Sequence, residues 1–289
     1  MSMVAYKEPY LLQIMLDDEL LNPRTDYDGF GHMVCWHRRY NIGDEHSYKD
    51  TNDLFKELVR SSVSPDTVIE LVKSGKADKV KLEYDRSAGS WELRSFDPYF
   101  KKWYDEASFP GTLTANRQEI FGSLLDTLPN ADLYTLAAEK NIILPLNLYD
   151  HSILHMSTSS FLGGAQHAEW DSGQVGWIYA APEDIVKEYG DLTPESYEKA
   201  NTLLKSEVES YDYYLSGQCY GFRLYENGEE TDSCWGFLGS FSDMAKEIAS
   251  QSLPETHRDM VDHLQEVSDT VTRYKDYEDL LEDLEEMEA

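Results

Sequence analysis

The chain has little of several things that would name a function at once. Three cysteines in 289 residues, Cys35, Cys219 and Cys234, are too few and too scattered for a disulfide framework and fit reduced thiols in a cytosol. No stretch approaches the roughly 20 apolar residues that span a bilayer. The opening Met1–Pro9 lacks the basic-then-apolar layout of a secretory signal. Phosphate loops, Gly-x-Gly-x-x-Gly turns, His-Glu-x-x-His helices, EF-hand loops and Gly-x-Ser-x-Gly elbows are all missing. Bases are scarce as well. Lysine and arginine total 25 against 55 acids, a formal charge of −30. Such a surface repels nucleic acid and anionic membrane and attracts basic partners over long range.

What is present is a normal globular composition, 41% hydrophobic and 12% aromatic, with the charge unevenly spread. Residues 1–144 hold 24 acids and 17 bases, whereas residues 145–289 hold 31 acids and 8 bases. Periodicity and punctuation predict an α+β fold: antiparallel sheets with packed helices in two lobes, 1–112 and 113–289, the second ending in an acidic helix. Ser64, Pro65 and Gly75 bracket a helix, and Thr193-Pro194 opens another that runs to Leu215. Residues 79–96 read as a hairpin and 97–112 as an aromatic connector. Asn227-Gly228 is the preferred pair for a two-residue hairpin loop between 218–225 and 230–238. Counted outward from it, Arg223 faces Asp232, Cys234 faces Gly221, and Tyr220, Phe222, Leu224, Trp235 and Phe237 share a face. The chain closes with predicted helices at 242–250 and 255–288.

Several constellations resemble sites without the spacing that chemistry requires. His32, Cys35, His37 and His46 could each ligate zinc, but they match no finger pattern and sit beside Arg38 and Arg39. No metal site and no cofactor is expected. Asp150-His151-Ser152 contains triad side chains, yet neighbours on a strand point to opposite faces. A hydrolase or nucleotide-modifying enzyme would draw on His151, Asp171 and Cys234, and no catalytic residue is assigned from the sequence.

The carboxyl-terminal segment is different in kind. Residues 276–289 carry eight acids and no base. At about 1.5 Å per residue that is about one charge per 2.6 Å of helix, between the densities of duplex and single-stranded DNA. Val267, Val271, Tyr274, Leu281 and Leu284 supply an apolar stripe for docking. The partner-binding residues predicted on this basis are Asp276, Glu278, Asp279, Glu282, Asp283, Glu285 and Glu286, joined by Asp262, Glu266 and Asp269 and by Glu209 and Asp212 on the helix from 194.

Three blocks carry a resemblance: Cys35–Asn41 with Gly43–His46; Leu148–Ser152 through Asp171–Tyr179; and Asp232–Phe237. Together they resemble a poorly characterised family of acidic phage and mobile-element proteins. The resemblance implies an accessory protein acting in the cytoplasm of a bacterial host and brings no catalytic residues. With the charge, it leads to the expectation of an anti-defence protein. Such a protein would inhibit a nucleic-acid-binding defence complex, of restriction or CRISPR type, by DNA mimicry or steric blocking. Its partner would be a basic host protein or nucleoprotein, with no direct contact to nucleic acid or membrane. The alternatives are the enzyme above and an acidic structural or regulatory phage protein. The helical terminus and 20 tyrosines are compatible with a homodimer.

Overall fold

A computed structural model describes residues 2–267 and 276–288, the side chain of Glu288 excepted. In chain order the elements are β1 (Ser2–Lys7), β2 (Tyr10–Leu16), β3 (His32–Cys35), α1 (Thr51–Ser62), α2 (Pro65–Lys73), β4 (Val80–Asp85), β5 (Ser90–Asp97) and β6 (Lys102–Pro110). Then follow α3 (Arg117–Thr127), α4 (Asn130–Ala138), β7 (Ile142–His151), β8 (Ile153–Ser157), α5 (Ala168–Asp171), β9 (Ser172–Ala180), α6 (Pro182–Tyr189) and α7 (Pro194–Leu215). Last come β10 (Cys219–Glu226), β11 (Glu229–Leu238), α8 (Phe241–Ser252), a 3₁₀ helix (Glu255–His263), β12 (Gln265–Glu266) and α9 (Tyr277–Glu288). The fold is α+β, and its ladders pair antiparallel. Among the described residues no helix is long and apolar enough to cross a membrane.

The chain forms two compact units. One joins Met1–Gly29, Asn147–Gln174 and Lys205–Ala289; the other joins Phe30–Leu146 and Val175–Leu204.

The first unit is built on a five-stranded sheet in the order β11-β10-β2-β1-β12. Tyr10–Met15 is nearly continuous in apolar residues because both faces of this sheet are covered. Ala5, Leu12, Ile14, Phe222 and Leu224 pack on one side with Ile248 and Ala249 of α8 and Met260 of the 3₁₀ helix. Val4, Leu11 and Tyr225, of opposite parity, pack with Leu280 and Leu284 of α9. A strand presents alternate residues to alternate faces, so one apolar run serves two cores.

The second unit has a large core of helices packed on a sheet. Leu54, Leu58 and Val59 of α1, Val68 and Ile69 of α2, and Leu124 and Leu125 of α3 meet Leu82 and Leu93 of the β4-β5-β6 sheet. Local chemistry starts α2 where the sequence predicts. Ser64 accepts from the Thr67 amide at 3.2 Å with Pro65 in the first turn, and Gly75 leaves α2 at φ +74°. In the same unit β3 pairs with β9, Val34 opposite Trp177 and Cys35 opposite Gly176. Gly176 is required there, since a Cβ would lie 2.0 Å from the Val34 carbonyl.

Four expectations are corrected. Residues 97–112 are not a connector: β6 pairs with β5 from Ser90–Pro110 to Asp97–Lys102. Phe109 is its one buried side chain, so the edge strand lacks the alternation that would announce it. The predicted helix 255–288 is broken. Its start is a 3₁₀ helix, and Gln265 and Glu266 then pair with Val4 and Met3, using the free edge of β1. The predicted stripe positions Val271 and Tyr274 lie outside the described residues. In the β10–β11 hairpin the loop is as predicted but the register shifts twice, so Arg223 faces Ser233 and Cys234 faces Phe222. Arg223 pairs with Glu230, at 2.6 Å. The shift also takes Trp235 off the face shared by Phe222 and Phe237. Its ring lies over Gly221, where a Cβ would meet it at 1.9 Å. Two residues of β11 oppose one of β10 at such an irregularity, which breaks the period-two count.

Candidate functional site

The acidic surface of the first unit begins with why α9 docks as it does. Leu280 and Leu284 are buried four residues apart, so they mark one stripe of the helix. Glu278, Asp279, Glu282, Glu285 and Glu286 are exposed at spacings that fall on the outer side. Asp276 starts the helix by accepting from the Asp279 amide at 3.2 Å, and Asp283 is half-buried. No base occurs in α9, so no i,i+4 pair neutralises its carboxylates.

Further acids gather at the amino end of α9 from elsewhere in the chain. The β1–β2 and β10–β11 turns meet there, the Asn227 amide donating to the Pro9 carbonyl at 2.9 Å. Gly228 lies beside the Tyr277 ring, and Tyr277 is hydrogen-bonded to Tyr6. Glu8 and Glu229 are exposed at these turns, and Glu226 accepts from the Tyr10 hydroxyl at 3.2 Å. Burial and neighbouring carboxylates act together on two phenols here. Burial raises Tyr277, and the Tyr6 bond, Glu278 and Glu8 raise it further. Burial likewise raises Tyr225, with Glu230 and Asp276 adding to it against the opposing Arg223. Glu8, Glu226 and Glu229 carry no signal in the sequence, because theirs is spatial: two tight turns that meet at one end of a sheet.

The remaining predicted partner residues are dispersed. Asp262 is exposed on the 3₁₀ helix and Glu266 on β12. Asp269 lies outside the described residues. Glu209 and Asp212 face a separate cavity of about 330 Å³ with Lys205 and Phe161. Asp212 is occupied structurally: it accepts from the Met156 amide at 2.7 Å and from His155 Nδ1 at 3.2 Å.

Of the three enzyme candidates, the structure joins two. His151 Nδ1 and Asp171 Oδ2 are 2.8 Å apart, with Tyr149 stacked on the imidazole at 5.8 Å. An Nδ1–H donated to Asp171 leaves Nε2 as the acceptor nitrogen, the arrangement of an imidazole that serves as a base. Cys234 is not hydrogen-bonded to either. It stands exposed on β11, an edge strand, with Sγ 3.7 Å from the Trp235 carbonyl. The four candidate zinc ligands are also turned to other work. His46 Nε2 meets the Cys35 carbonyl at 2.9 Å, Cys35 is buried, His32 pairs with Asp184 at 3.3 Å, and His37 Nδ1 accepts from the Tyr40 amide at 3.2 Å. Among the described residues no three His, Cys, Asp or Glu side chains are grouped to hold a metal ion.

Comparison with family models, with curated proteins and with solved structures gives no match for this chain.

Proposed function

We propose that this protein works by binding, presenting the outer face of α9 and the adjoining sheet end to a basic groove. On this reading it is a phage or mobile-element anti-defence protein acting in the bacterial cytoplasm. It occupies the surface that a restriction- or CRISPR-type complex uses for nucleic acid. The observation that carries it is the row of five exposed carboxylates on α9, unneutralised within the helix, on a unit with 31 acids and 8 bases. Long-range attraction by such a face accelerates encounter, and desolvated pairs then hold register.

The test is affinity capture from bacterial lysate at low salt, with elution by a salt gradient and by competing DNA. The wild-type chain should retain a nucleic-acid-binding complex that DNA displaces. Reversing Glu278, Asp279, Glu282, Glu285 and Glu286 to lysine should abolish retention. Equal retention by the reversed protein, at the same salt, would sink the mimicry reading.

A second reading, a proton-transfer or hydrolytic enzyme, keeps the His151–Asp171 pair as its support. It requires a reaction that disappears with His151→Ala and survives the α9 reversal.

A further inference from the structure

The second unit contains a cavity of about 440 Å³ to which the acidic face contributes nothing. It is built on the Gly43–His46 block. Gly43 turns at φ +77°, where a Cβ would lie 2.6 Å from the Met33 carbonyl, so the chain returns tightly against β3. The Asp44 amide then donates to the Met33 carbonyl at 2.8 Å, and the Met33 amide to Asp44 Oδ2 at 2.7 Å. His46 donates from Nε2 to the Cys35 carbonyl at 2.9 Å. These bonds fix the side chains of Asp44 and His46 against a strand and carry the Glu45 backbone between them.

The lining has a definite chemistry. Three carboxylates, Asp44, Glu45 and Glu57, contribute to it, and no lysine or arginine does. Glu57 is shared with Arg60 outside the cavity, at 2.8 Å, whereas Glu45 has no ion-pair partner among the described residues. Four rings complete the wall as two stacks, His32 on Tyr179 at 4.9 Å and His46 on Tyr48 at 5.8 Å. A hydrogen bond between Tyr48 and Tyr179 links the stacks, and burial, that bond, Asp184 and Asp44 all push the Tyr179 phenol up. The volume falls in the range of small-ligand sites, about 300–1,000 Å³. Carboxylates disfavour an anion, and the wall is too polar for a hydrocarbon. Ring faces combined with carboxylates are the recognition chemistry of ammonium and guanidinium groups.

We infer that this cavity binds an organic cation, an ammonium or guanidinium group, through the rings of Tyr48 and Tyr179 and the carboxylates of Asp44 and Glu45. The cation is either a free small molecule or a basic side chain projecting from another protein. The inference does not rest on the acidic-face reading, because the two share no residue.

Titration of the full chain with L-argininamide, spermidine and the blocked tripeptide Gly-Arg-Gly, followed by calorimetry, tests it. Glutarate serves as the anionic control. Saturable one-site binding of at least one cation is expected, with none of glutarate. Glu45→Gln, at an exposed position that leaves folding intact, should weaken it about fivefold or more, and Tyr48→Ala about tenfold or more. The double variant Glu282→Gln/Glu286→Gln on α9 should leave it within about twofold, which separates this site from diffuse attraction to a −30 chain. Binding of argininamide or spermidine assigns a free ligand, and binding of the tripeptide alone assigns a protein side chain. Absence of saturable binding by all three, or binding lowered by the α9 variant and untouched by Glu45→Gln, would overturn the inference.

Discussion

The two units share an antiparallel α+β construction but handle charge differently. The second unit carries 24 acids and 17 bases and pairs many of them locally, as in Lys56–Asp126, Lys73–Glu70, Arg94–Asp105, Arg117–Asp66 and Lys199–Glu195. The first carries 31 acids and 8 bases, so its carboxylates outnumber its bases nearly fourfold. Exposed pairs contribute little stability, about 0–1 kcal/mol each. Their consequence is for the field: one surface is nearly self-neutralised, and the other must be met by counterions or a partner. The cores differ too. A large cluster in the second unit joins helices to a three-stranded sheet, whereas two smaller clusters in the first lie on opposite faces of one sheet.

The largest expected effects test that difference in cores. Leu124→Ala, in the large core of the second unit, should cost about 3–5 kcal/mol by urea denaturation. Leu280→Ala, in the small cluster under α9, should cost about 2–3 kcal/mol and release α9 first. Hydrogen exchange would show this as lost protection in 277–288 with β2 and β10 still protected. Simultaneous loss across the sheet would mean that the two clusters are one cooperative unit.

A smaller effect is expected at the hairpin irregularity. Gly221→Ala should cost about 1–3 kcal/mol because the new methyl collides with the Trp235 ring. In a Trp235→Ala background the same change should be nearly free. Equal cost in both backgrounds would place the penalty in the backbone.

Charge comes next. Repulsion among the acids of the first unit should make its stability rise with salt, by about 1–2 kcal/mol between 0.01 and 0.5 M as the screening length shortens. Neutralising the five α9 carboxylates to glutamine should remove part of that rise. A salt dependence equal in wild type and variant would show that the excess lies elsewhere on the surface.

The smallest effect is the pH dependence of Cys219. Burial, with the Asp17 carboxylate nearby, pushes its thiol up from 9.0 to about 11. A folded-state value above the unfolded one contributes stability that is intact below about pH 9 and is lost as pH rises toward 11. Urea midpoints should be level from pH 7 to 8.5 and fall above 9, less steeply in Cys219→Ala. At pH 8 the exposed Cys234 should react first with a thiol reagent, ahead of buried Cys35 and Cys219.

Much of the fold was legible wherever the deciding contacts lie within a few residues. Ser64, Pro65 and Gly75 define α2, and Asn227-Gly228 places the last hairpin, because caps and tight turns are local chemistry. Elements held by an edge were not legible. β6 has one buried side chain, and β12 is two polar residues whose identity comes from the free edge of β1. The face of Trp235 was not legible either, because a bulge changes parity and only the close approach to Gly221 reveals it.

The candidate site divides in the same way. The amino-acid sequence alone determined the charge of −30, its concentration in the second half of the chain and the acid-rich last segment. Tertiary structure decided which acids share a face. Leu280 and Leu284 seat α9 on Val4, Leu11 and Tyr225, and the Asn227–Pro9 bond brings two distant turns to its amino end. Glu8, Glu226 and Asp276 are far apart in sequence and become neighbours of that helix end only through those contacts. Local periodicity reports which side of one helix is apolar, but it carries no record of what a strand more than two hundred residues away presents to it.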